Sequence, residues 1–200
     1  TYRTLIFLPA MMSIVIVGYL FNLILSNLWG IPQTILGVVG LEHIYQPWLG
    51  LKGPALITIS LISIWQFVGI PMMLFYAALL NIPDEILDAA KIDGSGPIKT
   101  FWFIKFPLIL PTVGLMVILT YVGNYNAFDL IFAMKSLYAG PEYSTDLMGT
   151  FFYRTFFGFQ MQLGNPTMGA TVASTTFGII LLGVLIYLFA FQQRVTRYQY

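Results

Sequence analysis

The chain has 200 residues, of which 58% are hydrophobic and 8% charged, with nine Lys and Arg against eight Asp and Glu for a net charge of +1. Soluble domains average roughly 45–50% apolar and about 25% charged residues, so an ordinary soluble globule is excluded, and the balanced charge excludes a basic nucleic-acid-binding footprint. Cysteine is absent and histidine occurs once, at His43, which excludes disulfides, thiol catalysis and a cysteine or histidine metal cluster.

The opening residues TYRTLIFLPAMM lack the cleavage site of a signal peptide and run into an apolar stretch. The chain begins without methionine and is expected to be a piece of a longer protein. No formal charge occurs between Arg3 and Glu42, Lys52 and Asp84, Lys105 and Asp129, or Arg154 and Arg194. Each gap holds at least about 20 residues, enough at 1.5 Å rise for a hydrocarbon core of about 30 Å. Four transmembrane helices are predicted near 5–28, 54–80, 108–131 and 167–191, in one domain over 1–200. A soluble helical core would show polar faces at helical period, whereas these segments are apolar nearly all round.

The first outer loop, 30–53, carries the short apolar stretch IPQTILGVVG between Gly and Pro. In the second span, Ser63, Gln66 and the interruption Gly69-Ile70-Pro71 fall near mid-depth, since twelve residues from Pro54 to Gln66 rise about 18 Å. Polar side chains inside spans are costly and mark pathways by default. Backbone groups freed at Gly69 and Pro71 need protein or a water-filled cavity to receive them. A proline kink with Gln66 bonded to a neighbouring helix accounts for the same residues without a pathway.

The central loop, 81–107, is charged. Asp84, Glu85, Asp88, Lys91, Asp93, Lys99 and Lys105 are seven of the seventeen charges. A helix is predicted over 83–93, with Pro83 in its first turn, Asp84 and Glu85 at the positive end of the dipole and Gly94 as a left-handed stop. At 100° per residue Ile86, Ala89, Ala90 and Asp93 share one side, and Asp84, Asp88 and Lys91 another. Like charges four apart cost a few tenths of a kcal/mol in an isolated helix. A cationic partner explains the aspartate pair, and so does a solvated hairpin in which Lys91 screens it. Beyond Gly96-Pro97, the interleaved Lys99, Phe101, Trp102, Phe103 and Lys105 suit a helix lying on the inner leaflet, with Pro107 and Pro111 turning the chain into the third span.

The third span ends in TYVGNYNAFD. Thr120 and Asn124 share a face, Asn126 and Asp129 point elsewhere, and Tyr121 or Tyr125 offers a ring that can stack on a sugar. Hydroxyl and amide groups that donate and accept suit neutral sugar hydroxyls; interhelical hydrogen bonds, worth about 0.6 kcal/mol each, are the plain alternative. Asp129 is expected at the outer mouth. In the second outer loop, 135–165, DLMGTFFYRTFF forms a short apolar helix whose Arg154 either meets an acidic group on a partner or snorkels to the interface. Ser174, Thr175 and Thr176 in the last span are expected to bond back to their own helix.

Both ends and the central loop carry Arg3, Lys91, Lys99, Lys105, Arg194 and Arg197, against Lys52, Lys135 and Arg154 in the other two loops. Six against three places the central loop and both ends in the cytoplasm. Trp29, Tyr45 and Trp48 on one side, and Trp102, Tyr187 and Tyr198 on the other, sit where interfacial aromatics belong.

DAAKIDGSGPIKTFWFIKFPLILP, Asp88 to Pro111, resembles the EAA loop of permease subunits of ATP-binding-cassette importers: two alanines, a glycine four residues later and a closing apolar-Leu-Pro. YRTLIFLP, the Trp65 to Met73 stretch and TFFYRTFF resemble the carbohydrate (maltose-type) branch in the expected order, so the resemblance covers nearly the whole chain. Asp88 departs from the family's glutamate by one methylene. Four spans appear where members usually have about six, in keeping with a fragment lacking the first two.

The resemblance implies an all-α polytopic membrane helix bundle, the MetI-like core of a type I importer permease. It implies that the helix at 83–93 docks on an ATPase subunit through Asp84, Glu85, Asp88, Ala89, Ala90, Asp93 and Gly94. It also implies that Ser63, Gln66, Ile70, Thr120, Tyr121, Asn124 and Asn126 line the substrate pathway. The partners implied are a second and different permease chain, two ATPase subunits that bind ATP and Mg, an extracytoplasmic solute-binding protein and a sugar; no cofactor is bound by the chain itself. The setting implied is the inner membrane. An intramembrane enzyme would need a catalytic constellation at depth, and no two carboxylates fall inside spans; a self-standing channel gives the charged helix no purpose. An importer of the same architecture for glycerol phosphate, an amino acid or a peptide is the remaining alternative, although the two central spans offer a charged solute no counter-charge.

Overall fold

The computed structural model describes residues 2–26 and 31–189. Trp29, Arg194, Arg197 and Tyr198, and the ends of the first and last predicted spans, lie outside the described residues. Among the described residues the regular structure is helical apart from one small hairpin. Helix α1 (Tyr2–Phe7) tightens into a 3-10 turn (Leu8–Met11) and is followed by α2 (Ile14–Ile24), α3 (Ile31–Val38), α4 (Lys52–Phe67), α5 (Gly69–Leu80) and α6 (Asp84–Ile92). Then come α7 (Pro97–Thr100), a wide π turn (Phe101–Lys105), α8 (Phe106–Tyr125), α9 (Asp129–Lys135) and α10 (Met148–Phe157), the antiparallel pair β1 (Gly158–Phe159) and β2 (Gln162–Leu163), and α11 (Pro166–Tyr187).

Among the described residues two helices are long and apolar enough to cross a membrane alone: the continuous 29-residue Pro97–Tyr125 and the 22-residue Pro166–Tyr187. At 1.5 Å per residue the latter is about 33 Å long, one hydrocarbon thickness. The first and second predicted spans are bent pairs, which meet the same length and composition criterion only when each pair is taken together. α4 and α5 meet at 42°, and the stretch from Tyr2 to Met11 meets α2 at 96°. The apolar stretch predicted as one helix from residue 5 is therefore broken, because Pro9 cannot donate within the ladder and Met12 adopts an extended conformation with ψ 145°.

The third span also differs. Pro107 and Pro111 do not turn the chain; Pro97–Tyr125 runs through them. The π turn absorbs the disturbance, with the Phe106 amide donating five residues back to Phe101, and such wide turns accommodate ladder defects without ending a helix. α8 ends at Tyr125, short of the predicted 131. Asn126 and Phe128 leave helical geometry within NYNAFD, where short polar side chains offer the backbone other partners. The residues after the break fold back as α9, which buries Leu130, Ile131, Ala133 and Met134.

The core lies where α2, α4 and α9 converge, around Val17, Ile59, Ile62, Leu130, Ile131 and Met134. α9 approaches α2 so closely that a Cβ on Gly18 would lie 2.6 Å from Ala133 Cβ. Outside that core large apolar side chains face outward, Phe177 and Leu182 on α11 being 66% and 60% exposed. A helix apolar on every side belongs in lipid or against other spans.

Candidate functional site

The charged loop folds as an exposed helix. Asp84 and Glu85 occupy the first turn of α6, where acids favour the dipole, but Pro83 takes the capping position, with ψ 139°, rather than a place inside the turn. The far end closes as a Schellman motif: Ser95 N donates to Ala90 O at 2.9 Å, Gly94 N to Lys91 O at 3.0 Å, and Gly94 adopts φ +70°. Of the side read as Ile86, Ala89, Ala90 and Asp93, only Ala90 is buried, at 4% exposure, while the other three face outward. Alanine is small enough to seat this turn on the protein body without embedding the helix.

Asp88 and Lys91 pair at 2.7 Å, with both side chains well exposed. Hydrogen bonding to Asp88, then the Asp88 and Asp84 charges, hold the Lys91 ammonium above its usual range. Lys91 thus screens one aspartate of the pair; Asp84 has no salt bridge among the described residues. Asp84, Glu85, Asp88 and Asp93 all face solvent, an acidic surface with one cation on it.

The polar residues of the second and third spans fall into two separate places. Gln66 is 1% exposed and donates from Nε2 to the Met12 carbonyl at 3.2 Å, at the break in the first crossing. Ser63, one turn earlier on α4, is half-buried, and Ile70, just past the bend, is 40% exposed. On α8, Thr120 and Asn124 are exposed, as is Asn126 just beyond its end. No side-chain hydrogen bond among the described residues joins them to Gln66 or Ser63. Tyr121 is committed elsewhere: its hydroxyl donates to the Ile179 carbonyl of α11 at 2.9 Å and its ring meets Gly183. Tyr125 stands against it edge to face at 5.1 Å. In the last span Thr175 and Thr176 donate to the carbonyls of Thr171 and Val172, each at 2.8 Å, as their sequence implies. One face of α11 and the turn after it, formed by Gly178, Leu181, Leu182, Leu185, Ile186 and Phe189, presents apolar residues.

Arg154 corrects an expectation. It is not free for an acidic partner: Nη2 binds Asp146 Oδ2 at 2.5 Å, Nη1 donates to the Leu137 carbonyl at 2.9 Å, and the guanidinium lies 4.6 Å from the Tyr143 ring. The Thr150 hydroxyl donates to Asp146 Oδ1 at 2.6 Å, completing a buried network that the sequence reading missed. Its signal was an acid just ahead of α10 with a threonine and an arginine one and two turns on. Among the described residues two ties join the segment 49–52 to the segment 135–142, Lys135 donating to the Leu49 carbonyl and Lys52 pairing with Glu142. Asp129 is exposed in the first turn of α9, away from the core.

Residues 1–197 match the family described as binding-protein-dependent transport system inner membrane component. The multiple sugar-binding transport system permease protein MsmF of Streptococcus mutans is 32% identical over 179 residues, 90% of this chain and 60% of that protein. The probable ABC transporter permease protein YurN of Bacillus subtilis is 30% identical over 171 residues, covering 86% and 58%. The chain therefore spans about three fifths of the length of these relatives. A crystal structure of a bacterial ABC transporter involved in the import of the acidic polysaccharide alginate contains a chain of like fold, with TM-score 0.71 and 23% identity over 98% of this chain and 65% of that one.

Proposed function

Because the chain belongs to the inner membrane components of binding-protein-dependent transport systems, we propose that it is a transmembrane subunit of an ATP-driven importer that carries a neutral, hydroxyl-rich solute of the saccharide class. The observation that carries this is α6: a short acidic helix, closed at its C-terminal end by a Schellman motif and exposed outside the apolar helices, in a chain with 8% charged residues. Such a helix has a surface to offer a soluble partner and little reason to be charged otherwise. The partner proposed is an ATPase pair that binds ATP and Mg, with a cationic cleft facing Asp84, Glu85 and Asp88. A second, different permease chain and an extracytoplasmic solute-binding protein complete the assembly, and this chain performs no catalysis. Closure of the ATPases draws two such helices together and biases the spans from inward to outward access. A partner shifts such an equilibrium only by binding its two states unequally.

The saccharide reading rests on Thr120, Asn124 and Asn126, exposed groups at the end of α8 with no side-chain partner among the described residues, and on the similarity to a multiple sugar-binding permease. Its test is ATP hydrolysis by the complete complex in liposomes with its binding protein. The panel is maltose, raffinose, arabinotriose and diacetylchitobiose, with glycerol 3-phosphate, glutamate and alginate oligosaccharide as charged solutes. Stimulation by a neutral saccharide is expected. Stimulation by alginate oligosaccharide alone would keep the saccharide and overturn its neutrality, and stimulation by glycerol 3-phosphate or glutamate alone would keep the importer and overturn the saccharide.

Asn124→Leu tests the pathway itself. Loss of an amide that bonds a sugar hydroxyl should raise the half-saturating concentration roughly tenfold, since a hydrogen bond left unmade by a polar ligand costs about 1–3 kcal/mol. Assembly with the ATPases should be unaffected. Unchanged half-saturation removes Asn124 from the site.

A further inference from the structure

The two bent crossings meet at their bends. Gln66, two residues before the bend at Val68, reaches the Met12 carbonyl in the break of the first crossing. Immediately beyond Val68, α5 lies against the other arm of that break. A Cβ on Gly69 would sit 2.7 Å from Phe7 Cα and 2.8 Å from the Ile6 carbonyl oxygen. Backbone atoms cannot rotate aside as the end of a side chain can, so Gly69 holds α5 to α1 while Gln66 holds α4 to the turn beyond it.

Each side of this joint leads to a functional element. α5 passes into α6 through Asn81–Pro83 alone. On the other side, α2 packs on α9, with Gly18 against Ala133 and Asn22 Nδ2 donating to the Met134 carbonyl at 3.1 Å. α9 is joined to the end of α8 through Ala127 and Phe128, directly after Asn124 and Asn126. A continuous series of contacts thus runs from the acidic helix to the exposed amides inside one chain.

We propose that Gln66 and Gly69 form a joint that makes the two bends move together, so that displacement of α6 reaches the polar end of α8. Gln66 is a positioning residue in this scheme and not a solute ligand. Its amide nitrogen is spent on Met12, and its side chain is covered. Its oxygen, Oε1, is buried without a donor. An unpartnered buried acceptor marks an arrangement that a second setting of the bends can relieve, and coupling between sites requires an element with two settings. The inference rests on the importer reading.

The test uses the complete complex in liposomes, supplied with the saccharide of the panel above that stimulates wild-type hydrolysis most. Gln66→Leu and Gly69→Ala are each expected to lower solute moved per ATP about tenfold, within the range of coupling between sites, while half-saturation stays within about twofold of wild type. Gly69→Ala alters no polar group, so a loss shared by both variants points to the joint. A raised half-saturation in Gln66→Leu with solute per ATP intact makes Gln66 a ligand and overturns the proposal, as does unchanged solute per ATP in both variants. Should Gln66→Leu fail to assemble, Gln66→Glu decides. A protonated carboxyl still donates to Met12 and an ionised one cannot, and burial favours the protonated form, so solute per ATP should stay near wild type or recover as pH falls, and a profile that stays low at every pH overturns the joint. A wild-type complex that moves no solute with ATP overturns the importer reading instead.

Discussion

Replacing Asp146 by alanine is expected to destabilise the protein by about 3–5 kcal/mol, because it leaves the Arg154 guanidinium buried without its counter-charge. Arg154 is 7% exposed, and the Asp146 carboxylate binds it while also accepting from Thr150. The magnitude decides between two kinds of ion pair in the same region. Lys52 and Glu142 also pair, but with side chains 58% and 72% exposed, and such pairs contribute about 0–1 kcal/mol. Glu142→Gln is therefore expected to change little. Asp146→Leu combined with Arg154→Met should recover most of the loss, since apolar replacement of both partners is often neutral or stabilising. Thermal unfolding of the purified complex, with proteolysis of the 136–146 loop as a local readout, measures all three. If Asp146→Ala and Glu142→Gln cost the same, the buried network contributes nothing beyond a surface pair.

The network has work to do in that loop. Ser136, Ala139, Glu142 and Tyr143 all have positive φ without being glycine, a backbone cost of roughly 1–3 kcal/mol for each such residue. Arg154 offsets it by bonding the Leu137 carbonyl and covering Tyr143, and the Thr145 amide bonds the Ala139 carbonyl at 3.1 Å. The loop conformation was not legible beforehand, and the spacing of Asp146, Thr150 and Arg154 was its one trace in the sequence. A loop conformation forced by tertiary contacts leaves no periodic trace, and Arg154 read as a surface cation because its partner lies eight residues away, outside any helical pairing rule.

Other features were legible because a local rule governs them. The limits of α6 follow from Pro83, the acidic first turn and Gly94, each of which acts within one turn. The back-bonded Thr175 and Thr176 follow from helix geometry alone. The apolar lengths of the last two predicted spans were legible, but the shapes of the first two were not. Charge-free stretches mark where the chain can enter a membrane, while the 96° bend after Met11 and the early end of α8 at Tyr125 depend on what α2 and α9 pack against. Gln66 shows the same limit. Its polarity at mid-span was legible, but its partner is a backbone carbonyl of a distant break, which no spacing rule could name.

Asp88→Lys is expected to abolish ATP-driven uptake while leaving the protein folded and inserted. The structure separates these outcomes because Asp88 is exposed and its one salt bridge among the described residues is to Lys91, also exposed. Removing a surface pair costs about 0–1 kcal/mol, and the new like-charge contact with Lys91 adds a few tenths, both too small to unfold a domain. In the proposed docking the same substitution has a different scale. Asp84, Glu85 and Asp88 present one acidic surface to a cationic cleft, and a reversed charge in a desolvated interface costs several kcal/mol in juxtaposition alone. A loss of about 3 kcal/mol weakens docking more than a hundredfold, enough to separate hydrolysis from transport. Asp88→Glu supplies the control: it restores the longer carboxylate that the EAA resemblance leads one to expect and should support uptake at least as well as Asp88. Co-purification of the ATPases with each variant, read beside uptake in liposomes, checks the scheme. Normal uptake by Asp88→Lys would leave α6 a solvated hairpin whose acids serve only its own caps and Lys91.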